Sequence, residues 1–361
     1  MADERAVLRR ARRVVLKIGS KTLAADREVY ARLAVEIAAL MREGRQVVLV
    51  SSGAIALGMT KLGLRARPKE MAWLQAAAAA GQSVLMQRYE EAFAAVGIPV
   101  AQVLLTHADL ADRTRGNNAR AALSALLSAG ALPIVNENDT VAVDEIRFGD
   151  NDQLASMVTP LVDADLLVLL SDVPGLLDGQ RRVSIVRDVA TEARPLAGKS
   201  GSSVGTGGMA SKVEAARKAT LAGANVVVAD ARVPGIVSAI ARGDDVGTLF
   251  IAAATRLSAR RHWIAFTLRP RGAVVLDRGA AEAIAKKGKS LLPVGVVGVR
   301  GDFRAGDAVA IFDPDGRELG RGLARLAAPE AAALAGRRSE VGAVEVVLVH
   351  RDDLVIATPF A

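Results

Sequence analysis

Six short runs of almost unbroken apolar residues recur through the first two thirds of the sequence, with longer stretches of helical character between them. The runs are Val14–Ile18, Gln46–Ser51, Val100–Leu105, Leu132–Asn136, Ala164–Leu170 and Asn225–Ala229. A strand that is apolar on both sides must be covered on both faces, which is the condition of a parallel sheet inside helical layers. Helices are expected at Arg27–Arg42, Met71–Ala95, Asn117–Ala129, Asn151–Leu161 and Met209–Ala222. Gly44, Gly97, Gly130 and Gly223 follow four of them, where a left-handed cap favours glycine. The fold class is therefore α/β, a mostly parallel sheet sandwiched by helices.

The pattern changes around Thr248–Arg261. Beyond it lie short strands with glycine turns, at Ala273–Leu276, Val294–Val299, Ala308–Phe312 and Val344–Val349, and one helix at Gly279–Lys287. A chain of 361 residues exceeds what one core usually supports. Two domains are expected, a large one over 1–262 and a smaller β-rich one over 271–349.

Composition serves mainly to exclude. There is no cysteine, so disulfides, thiolate metal sites and thiol nucleophiles are ruled out, and a reducing, cytoplasmic setting fits. The N-terminus carries Arg5, Arg9, Arg10, Arg12 and Arg13, but the apolar run behind them is too short for a signal peptide. No apolar stretch is long enough to span a membrane. The net charge of +8 raises the question of nucleic acid, yet residues 263–361 hold 14 Lys+Arg against 12 Asp+Glu. That is no basic stripe, and a nucleic-acid partner is not expected.

Unusual residues cluster where the strands end, and in open α/β sheets ligands bind at the carboxyl edge. The first strand runs into Lys17-Ile18-Gly19-Ser20-Lys21, a cation beside a glycine that lets backbone N–H groups approach phosphate. The second runs into Ser51-Ser52-Gly53-Ala54 at a helix N-terminus, a place for an anion or simply for a capping serine. The fourth ends in Asn136-Glu137-Asn138-Asp139, polar enough to hold the amino and carboxylate groups of a small molecule, although an Asx-rich turn has the same composition. Gly149-Asp150-Asn151-Asp152 opens a helix. One acid there is an ordinary cap, whereas two can orient ammonium groups or hold Mg²⁺ through water. The fifth strand ends in Ser171-Asp172. Finally, Gly205-Thr206-Gly207-Gly208-Met209-Ala210-Ser211-Lys212 sets a glycine-rich loop before a helix with a lysine in its first turn. It matches neither the Walker A loop nor the dinucleotide fingerprint.

Only three histidines occur, His107, His262 and His350, too scattered for a metal cluster. Lysines, Mg²⁺ and backbone N–H groups are the resources left. They suit transfer of a phosphoryl group to a carboxylate, which is already ionised at neutral pH and needs no general base.

Taken in order, these motifs resemble the glutamate 5-kinase family, a branch of the amino acid kinases, over nearly the whole chain, and residues 271–349 look like a PUA domain. The resemblance implies ATP-dependent phosphorylation of the γ-carboxylate of L-glutamate, the first step of proline biosynthesis. It implies that Lys17 and Lys212 stabilise the transferring group, with Asp152 orienting both. Ser52, Gly53, Asn136, Asp139, Asp150 and Asn151 would bind glutamate. Lys17, Gly19, Ser171, Asp172 and Thr206, Gly207, Gly208, Met209, Ala210, Ser211 and Lys212 would hold ATP, with Mg²⁺ carried mainly by its phosphates. Proline is expected as a feedback inhibitor, and a homo-oligomer, dimer or tetramer, as the assembly. The region Leu177–Val183 looks short beside some relatives. The alternatives are a kinase of the same fold acting on N-acetylglutamate, aspartate, carbamate or a nucleoside monophosphate, and an RNA-binding protein working through the C-terminal module.

Overall fold

A computed structural model describes residues 4–25, 28–142, 151–198, 208–337, 340–341 and 344–356. The chain divides into two compact units, 1–256 and 257–361.

The first unit is built on an eight-stranded sheet. Its strands are β1 (Arg13–Ile18), β2 (Gln46–Val50), β3 (Val100–Leu105), β4 (Leu132–Glu137), β5 (Leu166–Ser171), β8 (Ile185–Val186), β9 (Asn225–Asp230) and β10 (Thr248–Phe250), in the order β3-β4-β2-β1-β5-β9-β10-β8. The six long strands are parallel, as their two-sided apolar character requires. Strand β10 pairs antiparallel with β9 and parallel with β8, so these two short strands run against the other six. Two residues each of β6 (Leu177–Asp178) and β7 (Arg181–Arg182) form a separate hairpin beside the sheet.

Alternation along each strand feeds two cores. Val14, Leu16 and Ile18 of β1 join Leu49 of β2 and Val168 of β5 in one, while Val15 joins Val48, Leu167 and Leu169 in the other. Helices α1 (Glu28–Arg42), α3 (Met71–Ala94) and α7 (Ile236–Arg242) cover the first face. Helices α4 (Arg113–Ser128), α5 (Asn151–Leu161) and α6 (Met209–Leu221) cover the second. Between β2 and α3 lies the short helix α2 (Ala54–Lys61), which crosses α3 at two glycines. A Cβ on Gly58 would lie 1.6 Å from the Ala77 carbonyl oxygen, and one on Gly81 would lie 1.8 Å from that of Ala54.

The arginine-rich N-terminus has a structural use. Arg5 is buried and donates to the carbonyls of Ser184, Asp244, Val246 and Gly247 at 2.9–3.1 Å, pinning the segment before β10.

The second unit holds a five-stranded sheet with its own core. Its strands are β11 (Gly272–Leu276), β12 (Val296–Gly301), β13 (Ala308–Phe312), β14 (Glu318–Ala324) and β17 (Val349–Ile356), in the order β12-β11-β13-β14-β17. Only β11 and β13 pair in parallel. Helices α8 (Arg278–Lys287) and α9 (Ala328–Leu334) belong to the same unit.

Two features here depart from the sequence expectation. The single strand expected at Val344–Val349 is broken: β15 (Glu340–Val341) and β16 (Val344–Glu345) form a small hairpin, and the sheet strand β17 starts only at Val349. Strand β14 was not anticipated because Gly320 and Gly322 interrupt its apolar alternation. The glycines are there for space, since a Cβ on Gly320 would lie 2.1 Å from the Val355 carbonyl oxygen of β17.

Candidate active site

Strand β1 lies at the sheet's switch point, with the chain departing to β2 on one side and returning as β5 on the other. The pleat then decides where Lys17 points. It shares a face with Val15, the face covered by α5 and α6, so its ammonium reaches the N-terminal ends of those two helices. Asp152 in the first turn of α5 and Lys212 in the first turn of α6 wait there.

The three side chains form one buried cluster. Lys17 Nζ lies 2.5 Å from Asp152 Oδ1, and Lys212 Nζ lies 3.0 Å from Oδ2. Asp152 is 0 % exposed, Lys17 6 % and Lys212 5 %. Burial alone would push the Asp152 carboxyl up, but the charges of Lys17 and then Lys212, with their hydrogen bonds, hold it below the usual carboxylate range. The net charge of the trio is +1, so a positive surplus stands at the carboxyl edge of the central strand. The helices are tied together by Gln153, which accepts from Lys218 Nζ at 2.5 Å and donates to the Ser211 carbonyl at 3.3 Å.

Asn151, the residue before Asp152, belongs to a second polar network. Its Nδ2 donates to the Ser51 carbonyl and, at 2.8 Å, to Asn136 Oδ1. Asn136 Oδ1 also accepts from the Glu137 N–H at 2.9 Å, and Asn136 Nδ2 donates to Gln82 Oε1 at 2.9 Å. The ends of β2 and β4 and the start of α5 are thereby fastened to one another. Ser52 and Gly53 follow at the end of β2, both half-buried. Gly53 adopts φ 100° as the N-cap of α2, a left-handed conformation that glycine reaches without strain. Asp139 lies half-buried in the turn beyond β4.

On the β5 side, Ser171 is buried and donates to Asp172 Oδ1 at 3.2 Å. Asp172 is exposed. Burial, the largest single influence, pushes its pKa up, while a backbone N–H, Lys21 at 3.4 Å and Ser171 together outweigh it and hold the carboxyl below its usual range. Arg232, held by Asp230 at 2.7 Å, donates to the Asp172 carbonyl at 3.0 Å. Gly19 follows β1, where a Cβ would stand 3.9 Å from both the Leu170 carbonyl oxygen and Lys17 Nζ, and Gly208 caps α6 in an extended conformation ahead of Met209, Ala210 and Ser211. Asp150, Thr206 and Gly207 lie outside the described residues. Among the described residues no group of three or more His, Asp or Glu side chains is placed to hold a metal ion, and no helix is long and apolar enough to cross a membrane.

Gln82, Tyr89 and Arg232 join the site without being among the residues expected there from the sequence. For the first two a signal existed: both are polar residues on the inward side of a long helix, seven positions and so two turns apart. For Arg232 none did, since an arginine after a strand is usually a solvated side chain.

The comparisons with known proteins agree with this geometry. Residues 12–230 match the amino acid kinase family and residues 272–341 match the PUA domain. A glutamate 5-kinase of Pelobacter propionicus is 46% identical over 372 residues, spanning 98% of this chain and 99% of the relative. One of Geobacter metallireducens is 46% identical over 369 residues, spanning 97% and 99%. Among solved structures, N-acetylglutamate synthase from Neisseria gonorrhoeae complexed with coenzyme A and N-acetyl-glutamate superposes with a TM-score of 0.53 at 18% identity. That likeness spans 70% of this chain and 62% of the other, less than two thirds, and bears on the fold alone. The chain belongs to the amino acid kinase family, and its end-to-end relatives within that family include the glutamate 5-kinases.

Proposed function

We propose that this chain transfers the γ-phosphoryl group of ATP to the side-chain carboxylate of L-glutamate, giving the 5-phosphate from which proline synthesis starts. The observation that carries the reading is the pairing of Lys17 and Lys212 on one buried carboxylate beside the Asn136–Asn151 network. Full-length identity to glutamate 5-kinases supports the choice of acceptor.

The chemistry asks for little covalent help. A carboxylate oxygen forms the new O–P bond while the bond from the γ-phosphorus to the bridging oxygen of ADP breaks, and the electron pair leaves with ADP. No proton has to be removed, so the barrier is dominated by bringing two anions together. Lys17 and Lys212 approach the transferring group from different elements and supply that neutralisation, with Asp152 fixing both ammonium groups. In this reading Ser52, Gly53, Asn136, Asp139, Asp150 and Asn151 receive glutamate. Gly19, Ser171, Asp172 and residues 206–212 receive the nucleotide. The donor set fits Mg²⁺ carried in on the ATP phosphates, because Asp152 is already committed to two lysines. Residues 1–262 form the catalytic domain and 271–349 the PUA-like one, in a cytoplasmic enzyme.

A hydroxamate assay with Mg-ATP traps an acyl phosphate directly. Strong signal is expected with L-glutamate and weak signal with N-acetylglutamate or aspartate, and ADP release, which also reports carbamate and a nucleoside monophosphate, should be fastest with L-glutamate. Preference for any of the other acceptors would replace the assignment.

A further inference from the structure

Two polar side chains of α3 face inward at the acceptor side of the site. Tyr89 is fully buried, and its hydroxyl shares a 2.8 Å hydrogen bond with Ser51 Oγ. Gln82 meets Asn136 at 2.9 Å. The direction of that second bond follows from the backbone. The Glu137 N–H can only donate, and it donates to Asn136 Oδ1. The remaining amide atom of Asn136 is therefore its nitrogen, and what it meets on Gln82 must be the carbonyl oxygen. The Ser51 carbonyl fixes Asn151 in the same way, because it can only accept.

This assignment leaves Gln82 Nε2 as a buried donor with no acceptor among the described residues. An unmet buried donor costs stability, and an apolar side chain of similar length would remove this one while leaving the Asn136 amide nitrogen without its acceptor, so the two choices roughly balance. Fold stability alone therefore gives no reason for glutamine at this position. The reason lies in what its oxygen holds.

We propose that Gln82 is a positioning residue of the acceptor site: its oxygen holds the Asn136 side chain, whose own oxygen accepts from Asn151, and so fixes the spacing of the β2 and β4 ends from the start of α5. The inference rests on the reading that these strand ends receive the acceptor. Gln82 has no bond to Lys17, Asp152 or Lys212, so its loss acts on acceptor binding and leaves the nucleotide side in place.

Steady-state kinetics of the full chain carrying Gln82→Met test this, with L-glutamate and Mg-ATP varied in turn. Methionine keeps length and bulk. It removes one unmet donor and creates another on Asn136, so the melting temperature should stay within a few degrees of wild type. The KM for the acceptor is expected to rise by about tenfold or more, with the KM for ATP changed by less than about twofold. An unchanged acceptor KM would overturn the proposal, as would equal deterioration of both KM values together with a lower melting temperature. If Gln82→Met does not fold, Gln82→Asn, too short to span to Asn136, is read by the same criteria. If wild type does not use L-glutamate, the proposed function fails by that result alone. The same split is then measured with the acceptor that wild type does use.

Discussion

Asp152 sits between two cations at no exposure, and its role can be separated from ordinary ion pairing by what replaces it. Asp152→Asn keeps the shape and removes the charge, leaving Lys17 and Lys212 facing each other in a buried site. Breaking a buried pair by removing one partner costs about 3–5 kcal/mol. The melting temperature of the ligand-free protein should fall accordingly, and turnover should fall by about a hundredfold or more because the lysines lose their anchor. Saturating Mg-ATP should restore much of the stability, since phosphate oxygens can take over as counter-charge. An equal loss with and without nucleotide would mean that the two ammonium groups do not face it. The pH dependence has a definite sign. The Asp152 pKa is depressed in the fold, so its stabilising contribution is complete above the ordinary carboxylate range and disappears as pH falls through the lower folded value. At this scale the sequence was readable where chemistry was unusual: Lys17, Asp152 and Lys212 stand at strand or helix ends, where charges are easily noticed. Gln82 and Tyr89 stand out only as inward polar positions on one helix face, and a polar residue within a helix declares its partner only when the sheet brings Asn136 and Ser51 to it.

Among the elements, the α2–α3 crossing is the tightest constraint near the site. Gly58 and Gly81 lie inside helices, where glycine costs about 1 kcal/mol relative to alanine. They are kept because the two backbones touch: an added Cβ on Gly58 would lie within 1.6 Å of the Ala77 carbonyl oxygen. Gly58→Ala is therefore expected to destabilise by about 1–3 kcal/mol despite its better helix propensity. Gly198→Ala, with nothing within 4 Å and an ordinary φ of −78°, should be close to neutral. Thermal unfolding of the two variants decides it, and a neutral Gly58→Ala would show that the helices can part at little cost. Because α2 starts at Ala54, directly after Ser52 and Gly53, the same variant should also weaken acceptor binding. The long parallel strands were legible from their two-sided apolar runs, and β1 to β5 and β9 fall within two residues of where the runs lie. Elements whose signal is spatial were not. Strand β14 hides behind the glycines that let β17 approach, and β10 is only three residues long and takes its place by pairing with β9 and β8.

On the scale of the whole molecule, the division at residue 256 coincides with a division of hydrophobic cores. The two cores of the first unit draw on residues from Leu8 to Ile251, and the core of the second draws on residues from Val274 to Ile356. Every described side chain of the candidate site belongs to the first unit, from Lys17 to Lys212. A unit with its own core and all of its site is expected to fold and work alone. A chain ending at Arg256 should therefore unfold cooperatively and keep turnover with L-glutamate and Mg-ATP within about threefold of the full chain, the margin allowed for fraying at the new terminus. Calorimetry and the hydroxamate assay on the truncated chain check the two halves of that statement separately. Cooperative unfolding with turnover lost would assign the C-terminal unit a part in catalysis or assembly that lies outside the strand-end site. Failure to unfold cooperatively would mean that the first unit depends on the second for its stability, although among the described residues none beyond Ile251 contributes to its cores.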